Sequence, residues 1–274
     1  MLAFEHINSL PKKTVFVENN VTSLFSFGDE SEEEDEEKED ARIDSSKVAD
    51  EGGNVVTDIV FEHEDVNCAY NISLSINQFS FHVANANQIW PGTFNLAYFL
   101  ARNRHVLVHN LSVSENSENL KILELGAATG ALSLFLKKLD STLFNNIITS
   151  DIDDGGQIEE NIKRNFELNS VSEVIHVPHT WGEEWSFPQN DFDYIIASDI
   201  LLYVKAYPNL VKTLVYFFQG GKVKEFIMSW NRRIDSTKIF YDLMQEAGFK
   251  RKHYGSCIYG FTFESSNIDK SELI

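Results

Sequence analysis

Residues Ile122 to Gly130 read Ile-Leu-Glu-Leu-Gly-Ala-Ala-Thr-Gly, an apolar strand run with a carboxylate inside it that opens into a loop of small residues. This pattern suits a cofactor-binding turn. Gly126 lets the chain bend sharply, Ala127 and Ala128 let a ligand approach the main chain, and Gly130 admits a closely packed helix. A dinucleotide turn wants Gly-x-Gly-x-x-Gly. Here the glycines stand four apart, and Glu124 lies two residues before the first. That carboxylate would repel a diphosphate. A sulfonium carrying a free amino group would tolerate it, so the loop favours S-adenosylmethionine over NAD.

In an open sheet of this kind the ligand lies across the carboxyl ends of the strands. Asp151 closes the run Ile148-Thr149-Ser150-Asp151, where its two oxygens suit both hydroxyls of a ribose; the competing reading is a helix cap. Trp181 follows a third strand in Thr180-Trp181-Gly182-Glu183, where an indole covers an adenine face or anchors a rim. Trp90 carries the same two readings. The run Asp151 to Gly155 has the look of a calcium loop, yet Ile162 stands where the bidentate Glu belongs. His176 and His179 sit on a predicted strand, where their spacing does not suit a metal and no third ligand is near. No metal is expected.

The elements that must position these residues follow from the rhythm of apolar positions. Strands are predicted near Lys121 to Ala127, Asn146 to Ile152, Glu173 to His179, Phe192 to Ser198 and Val223 to Trp230. Helices are predicted near Gly130 to Leu139, Gln157 to Asn169, Tyr207 to Phe218 and Thr237 to Ala247. The alternation predicts an α/β fold with an open, mostly parallel sheet and helices on both faces. Lys250 to Ser265 reads as one or two closing strands, Ile72 to His82 as a hairpin or strand pair, and Thr93 to Arg102 as an amphipathic helix.

The chain has 274 residues and a formal charge of -19, which disfavours general nucleic-acid binding because phosphates would be repelled. About half of that excess lies in Asp29 to Asp40, which holds ten acids and one Lys. Such a run cannot fold alone. Residues 1 to 54 are therefore expected to be an acidic arm, and 55 to 274 the catalytic domain. The arm either docks a basic partner or keeps the chain soluble. Cys68 and Cys257 lie far apart without zinc-type pairing and suit a reducing compartment. With no signal-like amino terminus and no membrane-length apolar run, a monomeric cytoplasmic or nuclear protein with no membrane contact is expected.

Together these residues resemble the seven-strand S-adenosylmethionine-dependent methyltransferases, in their lysine methyltransferase-like branch. The resemblance covers about Ile72 to Phe263. Ile89-Trp90-Pro91-Gly92 is similar to the branch's segment before its first helix, and Ile122 to Gly130 to its main cofactor motif. Ser150-Asp151-Ile152, Thr180-Trp181-Gly182-Glu183 and Ala197-Ser198-Asp199 match three further motifs in the correct order. The resemblance implies a Rossmann-like seven-stranded sheet with an antiparallel closing strand. It also implies that Trp90, Gly126, Ala127, Ala128, Asp151, Trp181 and Ser198 line a pocket for S-adenosylmethionine.

Two positions depart from the branch. Ala128 replaces a glycine and adds one methyl beside the cofactor. The aromatic of the branch's Asp-x-x-Tyr/Phe motif comes one residue late, in Asp199-Ile200-Leu201-Leu202-Tyr203. Either a bulge returns Tyr203 to the acceptor channel or Leu202 takes that slot. The expected reaction is methyl transfer to a protein lysine, with Asp199 orienting the ammonium and Tyr203 shaping the channel. The alternatives are a nicotinamide-type small-molecule N-methyltransferase and a cofactor-binding module without turnover.

Overall fold

The computed structural model describes residues 48–49, 54–64, 68–111, 119–171, 174–220, 222–230 and 236–263. The acidic run at 29–40 lies outside them. An antiparallel hairpin, β2 (Val55–His63) and β3 (Tyr70–Gln78), is flanked by the short strand β1 (Val48–Ala49), which pairs with β2 inside the stretch read as an arm. The remaining strands are β4 (Lys121–Leu125), β5 (Asn146–Asp151), β6 (Ile175–Pro178), β7 (Tyr194–Ser198), β8 (Glu225–Ser229), β9 (Phe249–His253) and β10 (Ile258–Phe263). They form one sheet in the order β6-β5-β4-β7-β8-β10-β9.

Strands β6, β5, β4, β7 and β8 run parallel, whereas β10 pairs antiparallel with both β8 and β9. The order turns back at β4, with β5 on one side and β7 on the other, which opens a crevice at their carboxyl ends. The parallel strands are almost wholly buried, as a sheet covered on both faces requires. Helices α1 (Pro91–His109), α2 (Ala131–Leu139) and α3 (Gln157–Leu168) contribute to one apolar cluster, and α4 (Tyr207–Gln219) and α5 (Thr237–Glu246) to the other. This is the expected doubly covered α/β sheet.

Two boundaries differ from the sequence reading. The strand pair lies at 55–78 rather than within 72–82, and α1 runs to His109 rather than Arg102. The length of α1 escaped detection because the helix is buried nearly all round, so it carries no clear polar stripe to read.

The hairpin is joined to α3 by an asparagine ladder. Asn161, Asn165 and Asn169 stand four residues apart, so they share one face of the helix. The Asn165 Oδ1 accepts the Asn77 amide at 2.7 Å, and the Asn169 Oδ1 accepts the Ser75 amide at 2.9 Å. In return the side-chain amides of Asn161, Asn165 and Asn169 donate to the Asn77 and Ser75 carbonyls. Residues two apart on β3 meet residues four apart on α3, because two strand rises and four helix rises are both near ~6 to 7 Å. Asn165 also donates to the Thr129 carbonyl at 2.9 Å, tying the ladder to the turn after β4.

Candidate active site

A cavity of about 390 Å³ opens over the carboxyl ends of the central strands. Its wall is built from the strand ends and turns at β4 (Gly126, Ala128), β5 (Asp151, Ile152), β6 (His179, Thr180, Trp181) and β7 (Ser198, Asp199, Ile200, Leu202, Tyr203). The loop before α1 contributes Val83 to Ala86 and Trp90.

Gly126 has φ +66°, and a Cβ there would stand 2.6 Å from the Ile200 Cγ2. The turn therefore needs glycine for both conformation and space. Ala128 takes φ +49°, a left-handed conformation that costs a non-glycine residue roughly 1 to 2 kcal/mol. Its amide is thereby aimed at the Asp151 Oδ2, at 2.7 Å, while the Ile152 amide reaches the Asp151 Oδ1 at 2.8 Å. Burial pushes the Asp151 carboxyl upward, and these two amides oppose that. Each oxygen takes one amide and keeps a second lone pair. These free acceptor positions thus fit the two hydroxyls of a vicinal diol such as a ribose.

Trp90, Gly126, Ala128, Asp151, Trp181, Ser198, Asp199 and Tyr203 all meet at this cavity. Three other sequence-predicted residues are near it but are not among those that line it. Ala127 is buried and its amide donates to the Ser150 carbonyl at 3.1 Å. Gly130 starts α2, where a Cβ would stand 3.1 Å from the Ile162 Cγ2 of α3. Glu124 is 2% exposed, and its carboxylate accepts both the Ser133 hydroxyl and the Ser133 amide in the first turn of α2. Burial raises its pKa to about 7 against those two donors. Asp151, rather than Glu124, is the carboxylate in the wall.

Asp199 has φ +50° and is 5% exposed. Its Oδ2 accepts the Gly92 amide at 2.5 Å, in the first turn of α1. Trp90, the residue before that helix, supplies no side-chain cap, so Asp199 caps it from 107 residues away. The Ser229 hydroxyl donates to the Gly92 carbonyl at 2.6 Å, and a Cβ on Gly92 would lie 2.6 Å from both Asp199 Oδ2 and Ser229 Oγ. The chain turns after β7 so that Leu202 and Tyr203 both line the cavity. The Tyr203 hydroxyl accepts the Asn85 side-chain amide at 2.6 Å and donates to the Val83 carbonyl at 3.2 Å.

Sequence reasoning missed the loop residues Val83 to Ala86, which carry no motif, and His179 as a wall residue. The His179 Nε2 lies 3.2 Å from the Glu183 carbonyl, which fixes the proton there and leaves Nδ1 a buried acceptor with no partner among the described residues. Among the described residues no cluster of His, Cys, Asp or Glu could hold a metal ion. No described helix is long and apolar enough to cross a membrane.

A family model described as lysine methyltransferase matches residues 69–247. The chain belongs to the lysine methyltransferase family. It is 30% identical over 123 residues to EEF1A lysine methyltransferase 3 of Xenopus tropicalis, covering 44% of this chain and 51% of that protein. It is 27% identical over 169 residues to the protein-lysine N-methyltransferase EFM6 of Saccharomyces cerevisiae, covering 57% of this chain and 67% of that one. The chain thus spans about half to two thirds of the length of these two relatives. A solved carbon methyltransferase, DszA, aligns with a TM-score of 0.46 at 14% identity, over 68% of this chain and 58% of that chain.

Proposed function

We propose that this lysine methyltransferase family member binds S-adenosylmethionine and transfers its methyl group to a lysine side chain of a protein. The observation that carries the reading is Asp151, held by the Ala128 and Ile152 amides in the cavity wall with two lone pairs left for a diol. Trp181 and Trp90 stand in the same wall, and an indole is a suitable surface for an adenine. The named relatives act, by their names, on protein lysines. When bound, S-adenosylmethionine supplies an activated methyl on a sulfonium, so the chain's own tasks are to orient the acceptor and exclude water.

A lysine amine must lose its proton before it attacks. Its ordinary pKa near 10.4 makes that cost about 4 to 5 kcal/mol at pH 7, and a partly desolvated channel lowers it. Asp199, fixed by the Gly92 amide and bordering the cavity, attracts the incoming ammonium. Leu202 and Tyr203 supply the apolar channel wall. The test is calorimetric titration of the full chain with S-adenosylmethionine alongside Asp151→Ala, followed by transfer of a labelled methyl to cell extract. Saturable binding lost in the variant, with label on protein lysines, supports the reading. An absence of binding overturns it, and label on small molecules alone overturns the acceptor. The acidic arm is read as a solvating tail: removal of residues 1–47 leaves transfer unchanged, and a loss confined to basic acceptors would make it a docking arm.

A further inference from the structure

His82 lies outside the cavity wall and belongs to no motif, yet it joins two of the segments that build that wall. Its loop, between β3 and α1, presents Val83, Ala84, Asn85 and Ala86 to the cavity. Its Nδ1 accepts the Ala84 amide at 3.2 Å, which puts the ring proton on Nε2. That nitrogen donates to the Asp154 Oδ2 at 2.9 Å, with the two side chains 5% and 10% exposed. Asp154 is itself fixed, since its carboxylate accepts the Gly156 and Ile158 amides at the start of α3. It stands three residues after Asp151. At the other side of the cavity the same loop is held by Tyr203, through Val83 and Asn85. From within, the Trp90 Nε1 donates to the Asn85 carbonyl at 3.0 Å.

We propose that His82 is a positioning residue for the cofactor, its hydrogen bond to Asp154 clamping the cavity loop to the loop that carries Asp151. The inference rests on the S-adenosylmethionine reading above. A ligand held by Asp151 and bordered by Val83 to Ala86 leaves only after those two segments part. The bond that must break is shielded from water and assisted by the carboxylate charge, so it contributes more than a surface contact. Exchange of the ligand is then slowed by His82, although His82 does not touch it.

The experiment measures release of S-adenosylhomocysteine from the full chain by stopped flow, with affinity by calorimetry and a melting curve for each variant. In His82→Asn the shorter side chain retains an acceptor for the Ala84 amide but loses Asp154; in His82→Gln the amide nitrogen again reaches Asp154. Release about tenfold faster in the Asn variant, restored in the Gln variant, is the expected result, the size following from loss of one charge-assisted hydrogen bond. A folded Asn variant releasing at the wild-type rate, or a folded Gln variant as fast as Asn, overturns the proposal. If the Asn variant does not fold, amide hydrogen exchange of residues 79–90 in the wild type decides. Slowing of that loop on addition of S-adenosylhomocysteine supports the clamp, and unchanged exchange overturns it. Failure of the wild type to bind the probe at all removes the cofactor reading itself, and is distinguished by affinity rather than rate.

Discussion

Asp151 holds its place through two backbone amides, so its removal leaves the Ala128 and Ile152 N–H groups to water without breaking the core. Asp151→Ala is expected to weaken S-adenosylmethionine binding about 100-fold, as loss of two hydrogen bonds to a carboxylate implies. Calorimetry reads it directly. Ala128 offers the opposite case, a residue whose φ of +49° suits glycine better. Ala128→Gly is expected to gain about 1 kcal/mol and raise the melting temperature by roughly 2 to 4 °C, measured by calorimetric melting. That Gly126, Ala128 and Asp151 meet at one cavity was legible because small residues after one strand and a carboxylate ending the next fall at the carboxyl ends of neighbouring strands. Glu124 was harder to read, since sequence shows a carboxylate in a strand but not which face it takes. His82 and Val83 to Ala86 were illegible, because their contribution depends on a loop path that no local pattern encodes.

Helix α1 begins without a cap of its own and borrows one from the turn after β7, which makes the helix and the end of the sheet a single unit. Asp199→Ala is expected to cost about 1 to 2 kcal/mol through loss of that cap. Asp199→Asn retains an acceptor for the Gly92 amide and is expected to melt near the wild type. If the carboxylate charge also orients a lysine ammonium, methyl transfer still falls in the Asn variant, so melting curves and labelled transfer together separate the two roles. The core strands and four of the five α-helices among the described residues were legible to within a few residues, because alternating amphipathic helices and apolar strands leave a strong periodic signal. The hairpin was placed too late in the chain because its β2 strand exposes a mixed face. The short strand β1 lay hidden in a polar region, where two residues give no period.

At the scale of the whole molecule, the carboxyl groups buried away from the cavity wall include Glu124 and Glu225. Burial raises Glu124 to about 7, and burial likewise raises Glu225 to about 7, although the Tyr254 hydroxyl donates to it at 2.7 Å. Both take up protons on folding that the unfolded chain, near 4.5, has already released. Their contribution is fully present below pH 4.5 and is lost as pH rises toward 7. For Glu124 it is on the order of 3 kcal/mol. The melting temperature is therefore expected to fall over that window from these two groups, and Glu124→Gln to flatten the fall in a pH series of melts. The asparagine ladder has a consequence at the same scale. A hairpin next to a helix normally leaves a row of unpaired amides and carbonyls on its outer strand, a template on which another chain can add. Here the side-chain amides of Asn161, Asn165 and Asn169 occupy Ser75 and Asn77 as a neighbouring strand would, so this end of β3 has its outward backbone groups already taken and gives another strand nothing to add to there.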